Sequence, residues 1–218
     1  LFLFLILLVI NSCSKTDKNL LSPAKDKELL SQYFTAASVG VISSSSSLKY
    51  VLLDPVSQEI SNEELQKVIK ISPSVPGNVS LTNYTILTFT PDAPLASSQT
   101  YTVNIDLKRL DGQRYDQNIN YQIKTLMQDM SIEREGIIIT EDGSNSIILR
   151  IKTADKADPQ NLLSCITTNA DKKTINELGS NDYQAELTWS KGISSGSSIQ
   201  YDGKPIGSTS KGDISIFS

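Results

Sequence analysis

Apolar and polar residues trade places one by one through long stretches of this chain, and a period of two leaves few folds open. Tyr101, Val103, Ile105 and Leu107 alternate with Thr102, Asn104, Asp106 and Lys108. Ile119, Tyr121 and Ile123 alternate with Asn120, Gln122 and Lys124, and Tyr183, Ala185, Leu187 and Trp189 with Gln184, Glu186 and Thr188. Leu48, Tyr50 and Leu52 share a face in the same way. Successive side chains on a strand point to opposite faces, so each segment reads as a half-buried antiparallel strand. Ile, Val, Thr, Ser and Asn are abundant and helical spacing is scarce, which places the chain in the mostly-β class.

Breaks between these segments carry turn and cap signals. Ser61-Asn62-Glu63-Glu64 matches a capping box, and Leu65, Val68 and Ile69 follow at helical spacing, which predicts a short helix. Asp158-Pro159 reads as a helix cap with proline in the first position, opening a helix to about Cys165. Asp111-Gly112, Asp142-Gly143 and Asp202-Gly203 read as turns, the first two closing hairpins. The strand pattern restarts after Thr125, giving two successive β units of roughly 32–126 and 127–218. Each has the size of an immunoglobulin-like (Ig-like) sandwich. The serine run Ser43–Ser47 is too short for a disordered domain and reads as a loop.

Composition closes several functional classes. The chain has no histidine, which removes Ser-His-Asp and Cys-His catalysis and the usual zinc sites together. A net charge of −4 with no basic stripe argues against nucleic acid as a partner. Cys13 and Cys165 are the two cysteines; Cys165 sits in an apolar context, Leu162-Leu163-Ser164-Cys165-Ile166, and reads as a buried, inert thiol. Glu133 and Glu135 lie two apart on a strand and read as a solvated face, with acid–base work as the sharper alternative. Asp142-Gly143-Ser144-Asn145 offers oxygen ligands but lacks the spacing of a calcium loop. Trp189 reads as core, with a ligand platform as the alternative. Catalytic, cofactor and metal residues are therefore expected to be absent.

The amino terminus carries the strongest site signal. Leu1 to Ile10 are uninterrupted apolar residues, Asn11-Ser12-Cys13 follows, and Ser14-Lys15-Thr16-Asp17-Lys18 turns polar. A bilayer span needs about 20 apolar residues, so this run fits a signal-peptide core. A small residue before a cysteine at the end of such a core resembles the bacterial lipobox. That resemblance implies cleavage after residue 12, acylation of Cys13 and attachment to a membrane through its lipid chains, each buried methylene contributing roughly 0.8 kcal/mol. The segment from Ser14 to about residue 30, rich in Lys, Asp and Ser, reads as a tether with one helical turn at Asp26–Leu30. With no Met or basic region before Leu1 and a strand-like ending at Asp213–Phe217, the chain is expected to be an amino-terminal piece of a longer protein.

Further along, Ile71-Ser72-Pro73-Ser74-Val75-Pro76-Gly77, then Leu87-Thr88-Phe89-Thr90-Pro91, then Pro94-Leu95-Ala96-Ser97-Ser98-Gln99-Thr100-Tyr101-Thr102-Val103 resemble the bacterial Ig-like domain. In such a domain Phe89 would fill the core, Pro91 would stop its strand pairing further and Tyr101 would enter the opposite sheet. The signal, tether, Gly40-Val41-Ile42-Ser43-Ser44 and Ig-like pattern, in that order, are together similar to the amino terminus of alpha-2-macroglobulin family lipoproteins of the Bacteroidetes type. Tyr201-Asp202-Gly203-Lys204-Pro205-Ile206-Gly207-Ser208 is similar to a linking stretch there. The resemblance implies an all-β architecture: a lipoprotein signal peptide (1–12), a tether (13–31), an Ig-like or macroglobulin-like sandwich (32–126) and a second, truncated one (127–218).

It also implies a protease trap whose targets are proteases, this portion being its membrane-tethered scaffold and not an enzyme. The family's thioester motif is Cys-x-Glu-Gln; Cys165 precedes Ile166-Thr167-Thr168 and does not match it. No cofactor is expected; with Ser14 after the cysteine and no acidic run in Lys15-Thr16-Asp17-Lys18, the expected place is the cell envelope, on the outer membrane facing the periplasm. The alternative is an Ig-like surface lipoprotein serving as adhesin, ligand-binding module or spacer.

Overall fold

The computed structural model describes residues 22–217, so Cys13 and the signal segment lie outside the described residues. The fold is all-β, with two hydrophobic cores in sequence: one drawn from Leu30 to Ile123, the other from Met130 to Ile216.

The first unit opens with helix α1 (Pro23–Leu30), whose Leu30 is buried against the sandwich. The expected tether of residues 13–31 thus ends in a docked helix, because Leu29 and Leu30 give its last turn an apolar side. Strands β1 (Phe34–Ala37), β3 (Leu48–Leu52), β5 (Gly77–Thr82) and β6 (Ile86–Pro91) form one sheet in the order β1-β3-β6-β5. Strands β2 (Gly40–Ile42), β4 (Ile69–Ser72), β7 (Thr100–Asp106) and β8 (Asn118–Thr125) form the facing sheet in the order β2-β8-β7-β4, with β2 parallel to β8. In Ig strand letters these are A-B-E-D and A′-G-F-C. The first strand changes sheet at Ser38-Val39-Gly40, where Gly40 takes φ +74° at little steric cost.

Alternation decides what fills the core. Leu48, Tyr50 and Leu52 face Tyr101, Val103 and Ile105 and the β8 set Ile119, Tyr121 and Ile123, all buried. Phe89 is buried as expected, and its ring lies so close to Gly77 that a Cβ there would stand 2.5 Å from its Cζ. Pro91 forms the last pair of its strand, opposite Gly77. Tyr101, at the start of β7, accepts the Ala96 N–H on its hydroxyl at 3.0 Å, the arrangement of the Ig tyrosine corner.

Two local readings change. The Ser61 cap forms, its hydroxyl accepting the Glu64 N–H at 3.3 Å, but helix α2 stops after Asn62–Leu65. Glu64 does not return to the cap; its carboxylate meets Lys67 and Arg109, and Ile69 leaves the helical stripe to open β4. Asp111-Gly112 is not a hairpin turn. Strand β7 ends at Asp106, which caps a helical turn, α3 (Leu107–Leu110), that buries both Leu107 and Leu110. Two leucines three apart reach one core only from a helical turn, so burial overrode the alternation at Leu107.

The second unit has strands β9 (Met130–Ile139), β10 (Asn145–Thr153), β12 (Lys172–Gly179) and β13 (Asp182–Trp189) in one sheet, ordered β12-β13-β10-β9. Strands β11 (Ile166–Thr168), β14 (Ile199–Asp202) and β15 (Lys211–Asp213) form the other, ordered β11-β14-β15. These are D-E-B-A and C-F-G, the constant-type Ig order. The Asp142-Gly143 hairpin joins β9 to β10, Gly143 at φ +86°. Helix α4 (Pro159–Ser164) fills the connection from β10 to β11, capped by Asp158, whose Oδ1 accepts the N–H groups of Gln160 and Asn161 at 2.9 and 3.0 Å. Asp202-Gly203 leads into a 3-10 turn at Lys204–Ile206.

Candidate functional site at the junction of the two units

The residues singled out in the sequence are dispersed. Cys165 is buried at the end of α4; its thiol donates to the Asn161 carbonyl at 3.3 Å, and burial pushes its pKa up, away from the reactive thiolate. Trp189 is core, its indole N–H donating to Asn169 Oδ1 at 3.1 Å. Glu135 belongs to a surface network in which Gln184 donates to it at 2.7 Å and Arg150 stands 3.5 Å away, while Glu133 lies exposed on β9. Asp142 spends its oxygen on its own turn, accepting from Thr140 Oγ1 at 2.5 Å and from Ser144 N at 3.0 Å. Among the described residues no group of three or more His, Cys, Asp or Glu side chains is placed to hold a metal. No described helix is long and apolar enough to cross a membrane.

What the fold does bring together is a polar cluster where the units meet. The linker Leu126-Met127-Gln128-Asp129 joins β8 to β9. Gln128 is buried, and its side-chain amide pairs with the backbone of Asp155 beyond β10: Nε2 donates to the Asp155 carbonyl and Oε1 accepts the Asp155 N–H, both at 2.9 Å. Its own N–H donates to Ser97 Oγ of the first unit at 2.7 Å. The Asp155 carboxylate, 3% exposed, reaches the first unit directly. Its Oδ2 accepts the Ser44 N–H at 2.6 Å and the Ser44 hydroxyl at 2.7 Å, while Oδ1 accepts the Lys156 N–H at 2.8 Å. Leu95, buried in the first core, donates its N–H to the Ser44 carbonyl at 2.8 Å and so anchors that loop.

The electrostatics follow from those bonds. Burial raises the Asp155 pKa, but the donors Ser43, Ser44 and Lys156 outweigh it and hold the carboxyl below its ordinary value. Asp129, one residue past Gln128, accepts from Ser210 and from Met130 N and is likewise held low.

Beside this cluster lies a cleft of about 270 Å³ lined from both units by Ser44, Leu95, Ser97, Lys156, Asn161 and Ile206, among others. Its cation, Lys156, is 3.4 Å from Glu177, and the Asp158 carboxylate on its wall is engaged as a helix cap. These groups can hold and orient a surface. A second cavity of about 390 Å³ lies in the first unit among Glu59, Ile60, Leu65, Leu81, Asn83 and Tyr84. Tyr84 is half exposed there, on a hairpin tip where Asn83 and Tyr84 both take positive φ. The serine run is legible in the sequence as a loop and Asp158 as a cap, but nothing in the sequence signals that Ser44 and Asp155, 111 residues apart, meet.

No protein-family model and no curated protein sequence matches the chain. Among solved structures it is similar to L,D-transpeptidase 3 from Mycobacterium tuberculosis, with 8% identity, a TM-score of 0.33, and 53% of this chain and 44% of that chain covered. It is also similar to an L,D-transpeptidase from Mycobacterium smegmatis, with 10% identity, a TM-score of 0.32, and 77% and 72% covered. The chain thus spans less than half of the Mycobacterium tuberculosis enzyme. Likeness at this level carries no argument about activity.

Proposed function

We propose that this chain is the membrane-tethered scaffold portion of an alpha-2-macroglobulin-like protease inhibitor, held to the cell envelope through a lipid on Cys13. One observation carries the reading: a lipobox-like segment, a short charged tether and two consecutive Ig-order sandwiches follow one another, with the Phe89 to Val103 motifs in the first. The role is scaffolding and binding, not catalysis; the sequence has no histidine and no nucleophile motif. The partners are the membrane, through Cys13, and proteases, through the whole inhibitor.

The test uses the intact protein recovered from its native envelope. A chain far larger than 23.9 kDa that forms a stable complex with an added protease supports the reading. A mature chain near that mass that leaves protease activity and mobility unchanged overturns it. Cys13→Ala is expected to move the protein from the membrane to the soluble fraction; unchanged partition would refute the lipid anchor. The exposed Tyr84 beside a cavity of mixed polar and apolar lining favours the second reading, an Ig-like surface lipoprotein acting as a ligand-binding module, adhesin or spacer.

A further inference from the structure

We propose that Asp155, together with Gln128, is a latch that fastens the two sandwiches into one rigid body, so that the pair moves and unfolds as a unit and not as two beads on a linker. The inference stands on the junction geometry and is independent of the protease-trap reading. A plain tether between Ig-like units needs no buried polar group, yet this junction buries two, Gln128 and Asp155. Burial of such groups is costly unless every one is paired, and here the pairing crosses the junction. Both oxygens of Asp155 are in use, Oδ2 by the N–H and hydroxyl of Ser44 in the first unit, Oδ1 by Lys156 in the second. Gln128 completes the fastening from the linker, tying the Asp155 backbone to a residue whose N–H is already bound to Ser97 of the first unit. If the units separate, Ser44 and Asp155 exchange these bonds for water, and a carboxylate fixed at 2.6 and 2.7 Å loses its two strongest partners.

An amide cannot replace that carboxylate. Asparagine has a single acceptor oxygen, so Asp155→Asn must lose either the Ser44 pair or Lys156 and turn an N–H2 group toward a donor. The linker supplies a direct readout, because Met127 is 69% exposed and flanked by Leu126, a bond that chymotrypsin cuts once the segment can open. The experiment compares the full chain in detergent with Asp155→Asn, Gln128→Ala and Ser44→Ala by scanning calorimetry and by the rate of chymotrypsin cleavage at Leu126-Met127.

The wild type is expected to melt in one transition. Asp155→Asn and Gln128→Ala are expected to separate it into two and to speed linker cleavage by about tenfold or more, as when a hydrogen bond to a charged group holding the closed form is lost. Ser44→Ala, which removes one donor from the first unit and leaves the second untouched, should raise cleavage in the same direction by less. It keeps the test decisive if Asp155→Asn fails to fold. Two transitions in the wild type, or linker cleavage unchanged in both Gln128→Ala and Ser44→Ala, would overturn the latch.

Discussion

A hydroxyl in a core is an instruction about what must stand opposite it. Tyr50 on β3 and Tyr121 on β8 meet across the first sandwich, oxygen to oxygen at 2.5 Å, and Tyr121 donates its proton to the Ser38 carbonyl at 2.8 Å. Tyr121 has one proton to give, so Tyr50 is the donor between the two rings. Burial raises both phenols well above their ordinary value and keeps them neutral. Tyr121→Phe leaves the Tyr50 hydroxyl buried without its acceptor and is expected to cost roughly 1–3 kcal/mol in urea denaturation. The double variant Tyr50→Phe/Tyr121→Phe should recover part of that loss, since removing both partners spares an orphaned group; a fully additive double variant would refute the pairing. Gly77 poses the opposite problem, that of space. Its missing Cβ is occupied by the Phe89 ring and lies 2.6 Å from the Thr90 carbonyl, which is backbone and cannot swing aside. Gly77→Ala is expected to destabilise by about 1–3 kcal/mol in the same assay, the range for overpacking a filled core.

Among the described strands, β9 leaves a run of three isoleucines open at a sheet edge. It lies at the edge of its sheet, pairs only with β10 and ends in Ile137, Ile138 and Ile139, which are 46%, 47% and 76% exposed. The first half of the strand carries Glu133, Arg134 and Glu135 and a bulge at Glu135, the usual protections of an edge; the second half has neither charge nor proline. Ile138→Lys is therefore expected to lower concentration-dependent association in sedimentation while leaving the melting temperature nearly unchanged, because the side chain contributes little to the core. Association unaffected by this change would place the sticky surface elsewhere. A different device recurs in the connections. Asp111, Asp155 and Asp171 each accept the N–H and the hydroxyl of one serine on a single oxygen, from Ser57, Ser44 and Ser190 respectively. The first and last fasten loops within a unit, and the middle one fastens unit to unit.

At the level of the whole molecule, acid should act on that middle clamp. The Asp155 carboxyl is held below its ordinary value of 3.8, so the stabilisation it provides is complete above the ordinary carboxylate range and is lost as pH falls through the folded value. The charged groups around it are Lys156, which follows it in the chain and pairs with Glu177, Asp158 on the cleft wall and Asp129 in the linker. Below about pH 4, linker cleavage by an acid-active protease is expected to rise in the wild type, and much less in Asp155→Asn, which has no carboxyl there to protonate. Equal acid sensitivity of the two would assign the effect to other groups, Asp111 among them, whose carboxyl is also held low by Ser57 against its burial.

The period-two segments determined the class of the chain and most of its strands by themselves, since alternation fixes which face of a strand turns inward wherever one face is buried. Local chemistry was legible for the same reason: the Ser61 and Asp158 caps and the Asp142-Gly143 turn need only neighbouring residues to form. The end of β7 at Asp106 and the docking of Leu30 were not legible, because both depend on a core assembled from distant strands. The junction was least legible of all. Ser44, Gln128 and Asp155 are ordinary loop residues until two sandwiches set Ser44 and Gln128 each within 3 Å of Asp155, and only the burial that follows turns common polar side chains into a latch.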